Sequence, residues 1–205
     1  MKTKLALLTL LLATISLFAQ NSADNYLIKW KDYEIGGYVG LNGKMSKIWT
    51  SNAGYGDIKA AVTINGKWAV GLSGTALYFD KKLNRLVNDG TYHLNAAYGG
   101  LFVERIFSLS DNWKISASLL TGQGEVSYIY DKDFREDRPW YQEAIDKEAV
   151  YVTEISLDVK TRLYNNFWVG LTGSYRNTSP LRLIKTSDAL LQKFNYGISI
   201  TYGIF

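Results

Sequence analysis

The chain has 205 residues, with 23 Lys and Arg against 19 Asp and Glu, a net charge of +4, one histidine and no cysteine. Without cysteine there is neither a disulfide nor a lipid-modified N-terminal cysteine, and a single histidine leaves little room for metal or nucleophilic chemistry. The small positive balance is spread along the chain and accompanies no nucleic-acid motif, so nucleic acid is not an expected partner.

Lys2 and Lys4 precede an apolar run over residues 5–18, and Ala19 stands before Gln20. A charged start, an apolar stretch and a small residue at the cut form the signature of a secretory signal peptide. The run falls short of the roughly 20 apolar residues that a spanning helix requires, and no later run is long enough to span. The expected organisation is a signal peptide over residues 1–19 and a single domain over residues 20–205. Membrane insertion of that domain would have to be by strands, because lipid tolerates only helices and closed barrels.

After a polar lead-in the chain reads as eight strands. Strand one is expected over residues 33–41, with Ile35, Val39 and Leu41 opposite Glu34, Gly36, Tyr38 and Gly40. A connection carrying Lys44, Lys47 and Trp49 runs through the turn-rich residues 51–57. Strand two covers 58–64, and Asn65-Gly66 then supplies the positive φ angles of a tight hairpin. Strand three covers 68–79, and a charged connection over 80–90 leads to strand four at 91–109, where Gly99-Gly100 is expected to host a bulge that swaps the faces. Asp111-Asn112 turns into strand five, 113–130, and a charged segment follows over 131–148. Strand six covers 149–164, Asn165-Asn166 turns, strand seven covers 167–176, and residues 177–193 connect to strand eight. That last strand sets Phe194, Tyr196, Ile198, Ile200, Tyr202 and Ile204 against Asn195, Gly197, Ser199, Thr201 and Gly203, and only Phe205 breaks the alternation. Helix is expected only locally, if anywhere, around Ala144 or Leu190.

The connections are read as alternately long and short, which with an even strand count is the up-and-down pattern of an outer-membrane barrel. Aromatic residues support it. Trp68, Trp113, Phe167 and Trp168 follow the short turns, and Tyr202 and Phe205 close the same end. Tyr78, Phe79, Tyr92, Tyr128, Tyr130, Tyr151, Tyr175 and Phe194 mark the other end. Two belts of amphipathic rings are what two membrane interfaces select.

With these strands, belts and terminal aromatic, the chain resembles the small eight-stranded outer-membrane β-barrels of Gram-negative bacteria, of the OmpA-barrel and OmpX type. The resemblance covers nearly the whole chain after the signal peptide and rests on architecture, not on a motif. It implies an all-β, eight-stranded antiparallel transmembrane barrel in the outer membrane, with periplasmic termini and four surface loops. It also implies a signal for the outer-membrane assembly machinery in the last strand, for which Tyr202, Ile204 and Phe205 are the candidates. Phe205 departs from the usual parity, so Tyr202 and Ile204 are assigned the recognised register.

Strand six sets Glu154, Asp158, Lys160 and Arg162 on the face opposite Thr153, Ile155, Leu157, Val159 and Leu163. Together with Glu34, Lys59, Lys114 and Arg176 they are assigned to a charged network in the barrel interior, since a buried charge needs partners. A salt-bridged filling is favoured over an acid/base pair or an ion path, because eight strands enclose little more than their own side chains. His93 is followed by Leu94 and Asn95, so the His and Ser two apart of the lipid A deacylase type are absent. It reads as a rim histidine, and no catalytic residue, metal or cofactor is expected. Arg135, Arg138, Trp140 and Tyr141, in the charged segment before strand six, are the candidate binding residues of an exposed loop. Lys81, Lys82, Arg85, Arg182 and Lys185 are placed to meet lipopolysaccharide phosphates.

The expectation is a monomeric barrel with a structural or surface-binding role. Its partners would be outer-membrane lipids, lipopolysaccharide, the assembly machinery and an extracellular or envelope protein. The rivals are an envelope-lipid-modifying enzyme, a narrow channel for small solutes, and a soluble periplasmic protein of lipocalin shape.

Overall fold

The computed structural model describes residues 27–30, 32–79, 83–84, 91–130, 144–184 and 186–205. The eight long strands are β1 (Tyr33–Ile48), β2 (Ser51–Ile64), β3 (Trp68–Tyr78), β4 (Thr91–Ser110), β5 (Trp113–Tyr130), β6 (Ala144–Tyr164), β7 (Phe167–Thr178) and β8 (Lys193–Ile204). Each pairs antiparallel with its sequence neighbours, and β8 returns to pair with β1. The ring is therefore closed and leaves no free edge along its length. Two short segments are added at the ends: Ile28–Trp30 pairs with the start of β1, and Leu83–Asn84 pairs with the start of β4. No helix among the described residues is long and apolar enough to cross a membrane.

Register shows how the ring closes. From Ile204 the partners run Gly37, Val62, Val70, Val103, Leu119, Ile155, Tyr175 and then Phe194, back on β8 and ten residues from the start. A stagger of that size over eight strands corresponds to a tilt of about 40° to the barrel axis. Alternation does the rest. Outward positions such as Leu41, Ile58, Leu72, Leu101, Ile155, Leu171 and Ile198 are exposed, while inward positions such as Lys44, Asp57, Glu104, Glu154 and Arg176 are buried. Apolar outside and charged inside is the reverse of a water-soluble protein, and only a lipid environment makes it favourable.

The turns explain the short connections. Asn65 and Gly66 have φ of 53° and 61°, the left-handed region that the tight three-residue connection between Ile64 and Trp68 uses. Asn165 likewise has φ of 45°. Glycine also permits close strand approach where Gly100 and Gly122 face each other inside the barrel, since a Cβ on either would meet the other's strand backbone at about 2.1 Å.

Several expectations are corrected. β1 and β2 do not end at 41 and begin at 58; they run on to Ile48 and Ser51 and are joined by a tight turn at Trp49 and Thr50. The first outer connection is thus short, and the strict alternation of lengths fails there. The Gly99-Gly100 pair carries no bulge; the register of β4 with β5 shifts between Ser108 and Ser110 instead. Ala144 starts a strand, and Leu190 lies in a turn. Phe79, Tyr128 and Trp168 belong to neither belt, because all three are buried inside. Exposed rings do lie at both ends, among them Trp68, Trp113 and Phe167 at the short-turn end and Tyr78, Tyr151, Tyr175, Phe194 and Tyr196 at the other.

Candidate functional site

Among the described residues the lumen is the region that brings chemically active side chains together, and the strands place them by parity. Five cations, Lys44, Lys59, Lys114, Lys160 and Arg176, and four anions, Asp57, Glu104, Glu154 and Asp158, point inward and are buried. They form two groups between a floor and a cap.

The outer group centres on Glu154 and Arg176, which are 2% and 1% exposed. Lys44 Nζ donates to Glu154 at 2.7 Å, and the Tyr98 hydroxyl donates to the same carboxylate at 2.6 Å. Arg176 donates to the hydroxyls of Tyr98 and Tyr55 at 3.3 and 2.8 Å, lies 4.2 Å from the Tyr55 ring centroid, and sends its Nε to the Leu191 carbonyl at 2.9 Å. Asp57 accepts from Asn42, from Ser73 at 2.8 Å and from Thr75 at 2.9 Å, with Lys44 at 3.8 Å. Charge, hydroxyl and ring are interlocked across most of the strands, so the desolvation cost of each ion is offset by several partners.

The inner group centres on Glu104, which accepts from the Tyr38 hydroxyl and from Lys160 at 3.3 Å. Lys59 lies 5.6 Å from the centre of the Phe102 ring. Asp158 Oδ1, Ser116 Oγ and Thr172 Oγ1 occupy one cross-strand row on β5, β6 and β7 and have no hydrogen-bond partner among the described residues.

At the short-turn end an aromatic floor closes the lumen. Phe205 turns inward, stacks on Tyr38 at 5.2 Å and meets the Trp168 ring edge-on at 5.6 Å. Its reversed parity therefore puts the last ring in the interior. At the opposite end residues 179–184 and 186–192 fold into the mouth and bury Leu181, Leu183, Leu190 and Leu191 in one cluster with Ile48, Leu94, Val126, Tyr128, Val150 and Val152. Polar contacts hold this cap: the Tyr128 hydroxyl bonds Thr186, and the backbone of Arg182 and Ile184 donates to Glu148 and Asp146.

Of the residues assigned to the interior from sequence, Lys59, Lys114, Glu154, Asp158, Lys160 and Arg176 do face the lumen and are buried. Glu34 and Arg162 have the inward parity but lie exposed at the short-turn rim, one at each end of its strand, where the lumen has already opened. Lys44, Asp57, Glu104, Tyr38, Tyr55 and Tyr98 were missed. Their signal was the inward parity of β1, β2 and β4, which for Lys44 and Asp57 was hidden by the misplaced first connection. Tyr202 and Ile204 share the outward parity of β8, but Tyr202 is half-buried and Ile204 is buried. His93 lies at the outer end of β4 opposite Ile129. Arg135, Arg138, Trp140 and Tyr141, like Lys81, Lys82, Arg85 and Lys185 and the whole signal segment, lie outside the described residues. Among the described residues no group of His, Cys, Asp and Glu is placed to hold a metal ion.

No protein-family model matches this sequence, and no curated protein matches it. Solved structures do. Neisserial surface protein A is 9% identical with a TM-score of 0.56, over 85% of this chain and 99% of that one. Ail, the attachment invasion locus protein of Yersinia pestis, is 11% identical with a TM-score of 0.49, over 82% and 97%. At such identities the likeness is one of fold: this chain has the architecture of the small eight-stranded outer-membrane β-barrels of Gram-negative bacteria.

Proposed function

We propose that the protein is a closed outer-membrane barrel with a structural and surface-contact role, with no solute path and no catalytic chemistry of its own. One observation carries this reading: residues 179–184 and 186–192 fold inward and seat four leucines over a salt-bridged lumen. Such a filling leaves the extracellular wall and loops as the surfaces free for partners. That wall is uneven, because β4, β5 and β6 have 20, 18 and 21 residues against 11 and 12 for β3 and β7. Outward positions near the tops of these long strands turn polar, with Glu125 and Lys147 paired at 3.7 Å and both exposed. In this reading the long strands stand above the lipid.

In this reading Arg135, Arg138, Trp140 and Tyr141 contact an extracellular or envelope partner, and Arg182 meets lipopolysaccharide phosphate. The chain is exported with removal of residues 1–19, and β8 is recognised by the assembly machinery through Tyr202 and Ile204. The barrel works as a monomer. The test is the refolded protein in planar bilayers together with a variant whose residues 132–142 are replaced by a short Gly-Ser linker. The expected results are an electrically silent wild type, and a variant that still changes gel mobility on boiling but no longer binds lipopolysaccharide or cell envelopes. A stable conductance step would overturn the closed lumen, and undiminished binding by the variant would overturn the loop assignment. N-terminal sequencing of the outer-membrane form checks the cleavage.

A further inference from the structure

At the periplasmic mouth the lumen carries more positive charge than its carboxylates match. Lys114 on β5 and Lys160 on β6 are direct cross-strand partners, and both point inward. Like charges in that relation repel. Lys160 is neutralised by Glu104 at 3.3 Å. Lys114, only 9% exposed, has no carboxylate within 4 Å among the described residues; its ammonium donates to the Ser108 hydroxyl at 2.9 Å and lies 5.2 and 5.4 Å from the Trp168 and Phe205 ring centres. Arg162, exposed on the same rim, likewise has no carboxylate within 4 Å among the described residues, and its guanidinium lies 4.9 Å from the same Trp168 ring.

Lys114 and Arg162 are diagonal neighbours across the β5–β6 pair, a relation that sets their Cα atoms about 7–8 Å apart. Long side chains at that spacing on one face reach a common point. Trp168 gives both cations a ring to lean on without using up donors, so that beyond the Lys114 bond to Ser108 N–H groups remain for an anion. A planar fork and an ammonium converging on one place suit an oxyanion.

We propose that this rim is an anion site for a phosphate group, bound between the Arg162 guanidinium and the Lys114 ammonium beside Trp168. It faces the periplasm and inner leaflet, away from the extracellular surfaces. The phosphate belongs either to a free periplasmic phosphate compound or to the headgroup of an inner-leaflet phospholipid that leans into the mouth.

The experiment uses the full refolded barrel. In zwitterionic detergent, inorganic phosphate is titrated calorimetrically at constant ionic strength made up with chloride. In parallel, barrels from mixed phosphatidylglycerol and phosphatidylcholine vesicles are analysed by native mass spectrometry for retained lipid. Arg162→Gln and Lys114→Gln are compared with wild type, and boiling-dependent gel mobility certifies that each is folded. Arg162→Gln removes an exposed side chain and is expected to fold normally. Saturable phosphate binding weakened at least tenfold in both variants would place a free phosphate at the site. Phosphatidylglycerol retained by wild type and lost in both variants would place a lipid headgroup there. If neither response occurs, if chloride competes on equal terms, or if the variants behave as wild type, the site does not exist.

Discussion

The middle of the lumen is filled by ions and its outer end by leucines, and the two zones hold the barrel together on different terms. In the middle, Glu154, Lys44, Tyr98 and Arg176 come from four separate strands, and each satisfies its neighbours. At the outer end Leu181, Leu183, Leu190 and Leu191 come from one connection and add apolar contact with little directional demand. An ionic layer fails if one member is removed, because the rest are left buried and unmatched. An apolar layer fails by degrees. Loss from the first should therefore be felt by the whole barrel, and loss from the second mainly by the mouth.

The largest expected effect tests the ionic zone. Glu154→Ala takes from the Lys44 ammonium its 2.7 Å partner, leaving only Asp57 at 3.8 Å, and removes the acceptor of Tyr98; it is expected to cost about 3–5 kcal/mol of barrel stability, read as a lower urea midpoint for loss of the heat-modifiable form. Lys44→Met added to Glu154→Ala should recover a good part of that loss, since it removes the weakly matched charge. A double variant no better than the single would show that Glu154 acts through packing and not through charge.

Next comes the apolar zone. Leu191→Ala deletes a fully buried side chain and is expected to cost about 2–4 kcal/mol, but the cost should appear as local opening. Amide exchange should rise over residues 179–192 and the outer ends of the strands they pack against, β1, β4, β5 and β6, with the short-turn ends of all strands little changed. Uniform acceleration through all eight strands would mean that cap and barrel are one cooperative unit, and the contrast drawn above would be lost.

The same contrast marks what could be read in the sequence. Strand six showed its ions through their two-residue spacing, because a charge on an otherwise apolar strand has only one face on which lipid does not penalise it. Lys59, Lys114 and Arg176 followed by the same logic. Trp49 defeated it: the turn between β1 and β2 contains no Gly, Asn or Pro, yet Trp49 takes φ of 49° and lies 6.1 Å from Phe79. Tertiary contact accompanies a turn that local residue preference does not announce, so Lys44 and Asp57 were assigned to a loop. The cap was invisible for a different reason. Leu181 and Leu183 alternate like a strand and Leu190-Leu191 hint at helix, while their actual neighbours, Val126, Tyr128 and Val152, lie on strands distant in sequence. Four leucines in a connection that has no bilayer to face were the available clue.

The smallest expected effect lies on the outer wall, where the Lys147–Glu125 pair offers the control that neither lumen zone can provide. Both side chains are more than half exposed, at 65% and 57%, and 3.7 Å apart. Water and salt screen such a pair, so Lys147→Gln is expected to change stability by no more than about 0.5 kcal/mol, in the same urea assay that registers Glu154→Ala. The two pairs share residue types and differ in burial, which makes them a direct comparison of environment at constant chemistry. A Lys147→Gln loss approaching that of Glu154→Ala would mean that the tops of β5 and β6 are shielded from water. The polar outer wall would then be part of a buried contact, and the boundary between lipid, lumen and extracellular surface would have to be redrawn.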